Sequence, residues 1–172
     1  MATIETRAQT IVCDAGPVIH MDELGCLDLL ADFGRVLLPR AVWAEVKRHR
    51  PSALKQKGVV LRCIDLKPEV DPEVHALSLT FTLHAGEKEA LRLARKERAD
   101  LFFTDDTAAR FAARALGLKV HGTLGILTRA IRRKQKSRNE VIALLRHIPK
   151  KSTLFVTPSL LLEVIEQVKQ EQ

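Results

Sequence analysis

The sequence predicts an α/β protein, a three-layer α/β/α sandwich in which helices cover both faces of a mainly parallel sheet. Short apolar runs alternate with longer helical patterns along the 172 residues. Such runs are typical of strands buried on both faces, and parallel strands need crossover helices to rejoin the sheet. The runs at residues 11–13 and 101–104 stop directly at acidic residues. Ligand sites in open α/β sheets form beyond the carboxyl ends of strands, so these acids indicate a metal-binding crevice.

In the first half of the chain, glycine and proline bound the predicted elements. Pro39 halts the second strand, and Pro51 ends the helix after it, because proline lacks an N–H and disfavours helix in the preceding residue. The region from residue 52 to 82 has a weaker pattern, with one strand followed by a loop that includes Pro72. In order, the predicted elements are a strand at 11–13, short helical segments ending near 34, a strand at 35–38, a helix at 40–47 and a strand at 59–64.

The second half begins with the clearest helix, at residues 85–98, where apolar residues recur at helical spacing. Gly117 stops a later helix, because glycine readily ends helices. The helix beginning at His121-Gly122-Thr123 becomes strongly basic from Arg129 onward, and the chain ends in a polar helix. In order, the predicted elements are a helix at 85–98, a strand ending at 105, a helix at 107–116, a strand at 118–120, the basic helix and the terminal helix.

The composition predicts a single domain spanning residues 1–172, with a core at about 9–130 and a basic helical extension at about 131–172. No apolar stretch approaches the roughly 20 residues needed to cross a bilayer, and residues 1–7 lack the apolar body of a secretory signal. We therefore expect a cytoplasmic protein with no membrane segment. The three cysteines are predicted to be buried thiols. A net charge of +7 favours a polyanionic partner, held mainly through phosphates because aromatic residues are few.

Each acid near a predicted strand end also has an ordinary structural explanation. Asp14, Asp105 and Asp106 precede predicted helices, where a carboxylate can cap exposed N–H groups. Asp106 is also four residues before Arg110, and an ion pair at this spacing stabilises a helix. The alternative role for Arg110 is contact with a substrate phosphate.

The two candidate glutamates lie within predicted helices. Glu45 has Arg48 and His49 within one helical turn, which is consistent with a surface ion pair. Glu87 interrupts an apolar stripe, and the residues three and four positions onward are apolar. Burial of such a carboxylate is costly without a cation or hydrogen bonds, so Glu87 is the strongest functional candidate.

Taken together, five segments resemble the PIN domain superfamily, specifically its VapC-like prokaryotic branch. The segments cover most of residues 9–130, and they are specific as a set because of their order and spacing. They are Ile11-Val12-Cys13-Asp14, Leu38-Pro39 with Val42 and Glu45, Gly86-Glu87 with Ala90 and Ala94, Thr104-Asp105-Asp106 with Arg110, and Gly122-Thr123-Leu124-Gly125.

The resemblance implies a metal-dependent ribonuclease that hydrolyses RNA phosphodiester bonds and leaves 5′-phosphate and 3′-hydroxyl ends. Such proteins are often the toxin of a toxin–antitoxin pair, so a small antitoxin protein and a homodimer are implied partners. Asp14, Glu45, Glu87 and the Asp105-Asp106 pair occupy the acidic positions. The family's usual motif places one residue between Thr and Asp, which points to Asp106, but the doubled acid leaves Asp105 equally eligible.

Converging carboxylates need a cation or protonation, because two like charges about 4 Å apart repel by roughly 4 kcal/mol at an effective dielectric near 20. Oxygen ligands favour magnesium, with manganese as a possible substitute. Asp14 and either Asp105 or Asp106 are expected to hold the metal directly. Glu45 and Glu87 then orient its waters or hold a second ion, so Glu87 is also a candidate ligand.

The candidate substrate contacts are Thr104, Arg110, Arg132 and Arg133. The basic run at residues 129–138 is also compatible with a solvated helix face or a partner-protein contact. A noncatalytic PIN-like module that binds RNA or protein is the alternative function. A phosphotransfer or receiver-like domain is disfavoured, because Asp14 is followed by Ala15-Gly16-Pro17 without a second nearby acid.

Overall fold

A five-stranded, fully parallel sheet forms the centre of the structure, a computed structural model that describes residues 9–170. With helices packed around it, this is the predicted α/β sandwich. The strands are β1 (Thr10–Cys13), β2 (Arg35–Pro39), β3 (Leu61–Ile64), β4 (Leu101–Phe103) and β5 (Val120–His121). The helices are α1 (Ala15–Glu23), α2 (Arg40–His49), α3 (Pro72–Thr80), α4 (Ala85–Lys96), α5 (Thr107–Ala115), α6 (Thr123–Arg132), α7 (Arg138–Lys151) and α8 (Pro158–Gln170), with 3-10 turns at Leu27–Asp32 and Ala53–Lys55.

The strand order β3-β2-β1-β4-β5 places β1 at the centre of the sheet. From β1 the chain builds β2 and β3 on one side and then crosses to build β4 and β5 on the other. Crevices for ligands form where the strand order reverses in this way, beyond the carboxyl ends of the strands. In this protein the crevice lies beyond β1 and β4, which pair directly through Cys13 and Phe103.

The central strands are apolar because both of their faces are covered. Residues 11–13 and 101–103 are buried, as the short apolar runs predicted. The edge strand β3 is different, because Arg62 and Cys63 are exposed. The prediction of three buried thiols was therefore wrong for Cys63, since an edge strand lacks the cover of a central one.

The largest differences from the sequence-based prediction are an additional helix and a divided one. Helix α3 begins at Pro72, within the predicted loop, and Asp71 caps it by accepting hydrogen bonds from the N–H groups of Glu73 and Val74. The basic helix is two helices, because the backbone turns to a positive φ of 57° at Lys134. Helix α7 then starts from Ser137, whose hydroxyl accepts from the N–H of Glu140.

The C-terminal helices pack onto the rest of the molecule. Val141 and Leu145 of α7 and Ile165 of α8 are buried, and the segment between the two helices is anchored to α1. The Glu23 carboxylate accepts hydrogen bonds from the hydroxyl of Ser152 and from the N–H of Thr153, at 2.8 and 2.7 Å. The proposed boundary near residue 130 stays a prediction.

Residues 1–8 and 171–172 lie outside the described part of the chain. The expectation that residues 1–7 are not a secretory signal therefore concerns residues that the structure does not describe. Of the helices in residues 9–170, none combines the length and apolar character required to span a bilayer.

Candidate active site

Asp14 lies at the centre of the predicted crevice, directly after β1. Its N–H donates to the carbonyl of Phe103 on β4 over 2.8 Å, which holds the two strand ends together. The hydroxyl of Thr104 donates to the Asp14 carboxylate over 3.0 Å. Asp14 occupies the N-cap position of α1, but its side chain makes no capping hydrogen bond. Capping therefore does not account for this carboxylate.

The electrostatic environment of Asp14 is unfavourable for a negative charge. The residue is only 7% exposed. Burial raises the pKa of Asp14 from 3.8 to about 7, and the carboxylates of Glu87 and Glu45 add to the rise, against the lowering effect of hydrogen bonds from the backbone and from Thr104. Asp14 makes no ion pair with Lys, Arg or His within residues 9–170. A positive ion at this position would relieve the repulsion.

Glu87 is also buried, near the N-terminus of α4. Burial raises its pKa, and the carboxylates of Asp106 and Glu45 contribute to the rise. One carboxylate oxygen accepts the backbone N–H of His84 over 2.7 Å. This contact is half of a capping box, a partner that the sequence analysis missed because it considered only positions after Glu87.

Glu45 is half-buried on α2 and faces the other acids. After burial, the charge of Glu45 contributes to raising the pKa of both Asp14 and Glu87. The Glu45 side chain also lies beside Gly86, where an added Cβ would be 3.5 Å from Oε2 of Glu45. The predicted alternative was an ion pair with Arg48 or His49. Neither pair is present in the described residues, and Glu45 is instead directed toward the crevice.

Asp106 and Asp105, which the sequence left as equal candidates, have different surroundings. Asp106 is exposed and caps α5, because one carboxylate oxygen accepts the N–H of Ala109 over 2.7 Å. The backbone N–H of Asp106 donates to the hydroxyl of Thr104. The negative charge of Asp106 adds to the effect of burial in raising the pKa of Glu87. The capping explanation therefore holds for one oxygen of Asp106.

Asp105 instead forms a bridge between α1 and α6. Its carboxylate lies 2.8 Å from Nδ1 of His20 and accepts hydrogen bonds from the N–H and hydroxyl of Thr123, at 2.7 and 2.6 Å. Gly122 permits this approach, since an added Cβ would meet Asp105 Oδ1 and Arg110 Nη2 at 2.5 Å each. Both oxygens of Asp105 already have partners.

The donor chemistry of the crevice fits a hard divalent cation. Burial raises the pKa of the Cys13 thiol well above its ordinary value, and Asp14 and Asp105 add to this rise, so the thiol stays protonated. Apart from the His20 imidazole, which contacts Asp105, the remaining side-chain ligands are carboxylate oxygens, which suit magnesium or manganese. Among residues 9–170, no group of three or more His, Cys, Asp or Glu side chains is arranged closely enough to hold a metal ion. The acids interact through their charges across the crevice.

Two of the predicted substrate contacts lie beside the acids. Thr104 is fully buried and its hydroxyl binds Asp14, so this side chain positions a carboxylate and offers no surface to a substrate. Arg110 is half-buried on α5 and donates to the carbonyl of Thr104 over 3.1 Å. Its guanidinium borders the crevice on the side of Asp105.

The other two predicted contacts are at the end of α6. Arg133 forms hydrogen-bonded ion pairs with Asp32, which also pairs with Arg129 at 2.8 Å. Arg132 is exposed and lies near enough to His121 to lower the pKa of that imidazole. The four substrate-contact candidates are therefore divided between the crevice and the surface at the end of α6.

The sequence analysis did not single out two members of the crevice. His20 follows Asp14 by six residues on α1, and the ring contact with Asp105 spans 85 positions along the chain. Thr123 was part of a quoted motif, but its hydrogen bonds to Asp105 were not anticipated. No local pattern marks either contact, because both depend on how separate helices pack at the sheet edge.

The parallel sheet, with acids beyond β1 and β4, is consistent with the class of PIN-domain proteins. The chain belongs to the PIN-domain family DUF3368, whose model matches residues 10–170 and so includes α7 and α8. No curated protein matches the sequence. The fold is similar to that of a PilT N-terminus domain protein, SSO1118, from the hyperthermophilic archaeon Sulfolobus solfataricus P2. The TM-score is 0.52 at 16% identity, covering 71% of this chain and 93% of that chain. PIN-domain proteins are generally nucleases and generally use divalent metals.

Proposed function

We propose that this protein is a metal-dependent endoribonuclease that hydrolyses phosphodiester bonds in RNA. The observation that carries the proposal is the buried carboxylate of Asp14, whose negative charge is opposed by Glu87 and Glu45 and is not balanced by an ion pair in the described residues. Such an arrangement costs stability, because isolated buried charge is unfavourable, and a bound cation or a proton offsets that cost. Family membership and the net charge of +7 support a nucleic-acid substrate.

The proposal assigns a distinct role to each acid. Asp14 and the second oxygen of Asp106 would contact a magnesium ion, with manganese as a substitute. Glu87 and Glu45 would hold the ion through its bound waters, because no three of these side chains in residues 9–170 are close enough to coordinate one ion directly. When bound, the ion lowers the pKa of water and neutralises charge that develops on the phosphate oxygens. Thr104 holds the Asp14 carboxylate in place by its hydrogen bond.

Asp105 has a positioning role in this scheme. Because both of its oxygens have partners, it connects α1 to α6 through His20 and Thr123 and so maintains the rim of the crevice. Arg110 is directed by its hydrogen bond to the Thr104 carbonyl, where a guanidinium would contact a phosphate of the substrate.

The direct test incubates the purified protein with a mixed RNA pool, with and without magnesium or manganese, and maps the cut ends. The expected result is metal-dependent cleavage that leaves 5′-phosphate and 3′-hydroxyl ends. Cleavage that persists after full chelation would rule out the proposal. Cleavage activity that elutes apart from the protein during purification would do so as well. Single-stranded DNA of the same sequence tests whether the sugar matters.

A noncatalytic module that binds RNA or protein is the second candidate. It is favoured by the structural use of three acids: Glu87 and Asp106 accept helix N–H groups, and Asp105 has both oxygens bonded. Isothermal titration with magnesium or manganese separates the two functions. The nuclease binds a stoichiometric divalent ion, whereas carboxylates that serve only as caps take up none.

A first prediction separates the two adjacent acids. Asp106→Asn removes a charge but keeps an N-cap acceptor, so we expect loss of metal affinity at unchanged thermal stability. Asp105→Ala removes the acceptor of His20 and of both Thr123 donors, and we expect a loss of about 1–3 kcal/mol of stability. Calorimetric titration and thermal unfolding of both variants measure the contrast. Equal stabilities with equal metal affinities would contradict it.

A second prediction concerns the basic surface at the end of α6. Charge reversal at Arg132 and Arg133 should flatten the dependence of RNA affinity on salt by about 1.4 in logarithmic slope, because each of the two phosphate contacts on single strands contributes roughly 0.7. Binding is measured at several salt concentrations without divalent metal. Asp32→Asn is the control, since it weakens the Arg133 and Arg129 pairs while retaining the cations. An unchanged slope in the double variant would place the RNA elsewhere.

The VapC-like resemblance further supports a toxin role, a small antitoxin partner and a homodimer as part of the proposal. Light scattering coupled to size-exclusion chromatography measures the mass in solution. A monomeric mass at micromolar protein concentration would contradict the proposed homodimer. It would leave the proposed nuclease function unchanged.

A further inference from the structure

A cavity of about 370 Å³ lies beside the acids, between the α5–α6 side of the crevice and the segment that joins α7 to α8. Asp105 and Arg110 line one wall, and Phe155 and its neighbours line the opposite one. Its volume falls within the roughly 300–1,000 Å³ typical of small-molecule sites. The cavity therefore adjoins the proposed reaction centre and is large enough for a substrate group.

The inner wall of the cavity carries one guanidinium, that of Arg110, beside the Asp105 carboxylate and the His121 imidazole. Burial lowers the pKa of His121, and the guanidinium groups of Arg110, Arg132 and Arg129 lower it further. The bare backbone of Gly122 brings the Arg110 guanidinium against the wall, since any Cβ there would overlap it. An anionic group that enters the cavity would therefore meet the Arg110 guanidinium, which is the cation on this wall.

The outer wall carries an exposed aromatic ring. Phe155 is 84% exposed, in a chain with few aromatic residues. Its segment is held in position, because the hydroxyls of Ser152 and Thr153 and the N–H of Thr153 all donate to the Glu23 carboxylate on α1. A solvent-exposed ring on an anchored segment is suited to stacking against a planar group.

We propose that this cavity is a subsite for one unpaired nucleotide of single-stranded RNA, with its base against Phe155 and its phosphate at Arg110. The inference rests on the proposed nuclease function and adds the subsite, which requires an unpaired base because only such a base can stack on a side chain. Phe155 is thus a substrate-binding residue contributed by the segment that joins α7 to α8, outside the predicted core at about 9–130.

Phe155 also borders a second, apolar groove between α7 and α8 that includes Leu161 and Leu162. No charged side chain lines that groove, and nothing in the structure indicates what would cover it. A protein partner seated there is therefore an outcome of the test below.

The test measures equilibrium binding of a fluorescein-labelled single-stranded RNA to the full-length protein in the presence of a chelator, so that no cleavage occurs. Phe155→Ala and Phe155→Leu should each weaken binding by about 10-fold, since stacking on an aromatic ring contributes roughly that much. Phe155→Trp should bind within about 2-fold of the wild type. The same sequence as a duplex should bind less tightly and be insensitive to Phe155→Ala.

Leu79→Ala is the matched control, because Leu79 on α3 is also an exposed apolar side chain, at 78%, and lies outside the cavity. It should leave binding unchanged, and thermal unfolding should be the same for all variants. If Phe155→Ala binds RNA as the wild type does, the subsite is wrong, and the ring then belongs to the apolar groove. If the wild-type protein binds RNA through Phe155 but cleaves none, the subsite is supported and the nuclease function is contradicted. If Phe155→Ala cleaves RNA with an unchanged KM, the nuclease function is supported and the subsite is contradicted.

Discussion

Asp14→Asn is expected to abolish metal-dependent RNA cleavage while leaving the fold intact. Asparagine occupies the same volume and can accept the Thr104 hydrogen bond, but it lacks the charge that a divalent ion requires. Loss of a group that merely supports a metal ligand costs about 10–100-fold, so loss of a ligand should exceed roughly 100-fold. The measurement is the initial rate of cleavage of a labelled RNA at saturating magnesium.

Asp65→Asn is the matched control for this variant. Asp65 is also an aspartate, but it is exposed after β3 and forms an ion pair with Arg40 at the surface. The control should cut at the wild-type rate. Circular dichroism and thermal unfolding should show both variants folded. Wild-type cleavage by Asp14→Asn would eliminate the assignment of the crevice as the reaction centre.

The second large effect is on stability as a function of pH. The pKa of Asp14 is about 7 in the folded protein and near 3.8 in the unfolded chain. Between these values the folded state binds more protons than the unfolded state, so the free energy of unfolding falls as pH rises through this window and levels off above about 7. A shift of about three pKa units corresponds to roughly 4 kcal/mol. Glu87, whose pKa is also raised, acts in the same direction.

The expected pH profile is therefore a loss of stability from pH 4 to pH 7 in the absence of divalent metal. Asp14→Asn removes the largest part of this loss, and at pH 8 it should unfold at a higher temperature than the wild type. Magnesium at about 100 times its dissociation constant should restore roughly 2.7 kcal/mol to the wild type and nothing to the variant. Urea unfolding at several pH values, with and without magnesium, measures all three effects. A wild-type profile that is flat over this range would contradict them.

Local patterns predicted the strands and the positions of the acids well. The apolar runs at residues 11–13 and 101–103 are buried strands that pair side by side, as predicted. The contact between Thr104 and Asp14 at their ends was not predicted, because Thr104 was assigned to the substrate. The strand prediction succeeded because a strand buried on both faces must be apolar along its whole length. The weaker pattern before residue 82 concealed α3, although Asp71-Pro72 has the composition of a helix start.

The character of each acid was less predictable. Glu87 was expected to lack partners, but its carboxylate accepts the N–H of His84, a residue three positions earlier. Glu45 was given a surface ion pair as its alternative, but the packing of α2 against α4 directs it to the crevice. Whether a helical carboxylate meets solvent or other acids depends on the neighbouring helix, which periodicity does not specify.

By itself, the sequence determined which carboxylates are available at the strand ends and that the protein carries a net positive charge. Only the tertiary structure distinguished Asp105 from Asp106. Asp105 is bound by His20 and Thr123, which are 85 and 18 residues away, while Asp106 retains an oxygen outside its helix cap. The physical reason is that strand identity follows from local burial, whereas the partners of a carboxylate are set by helices that come together only when the sheet assembles.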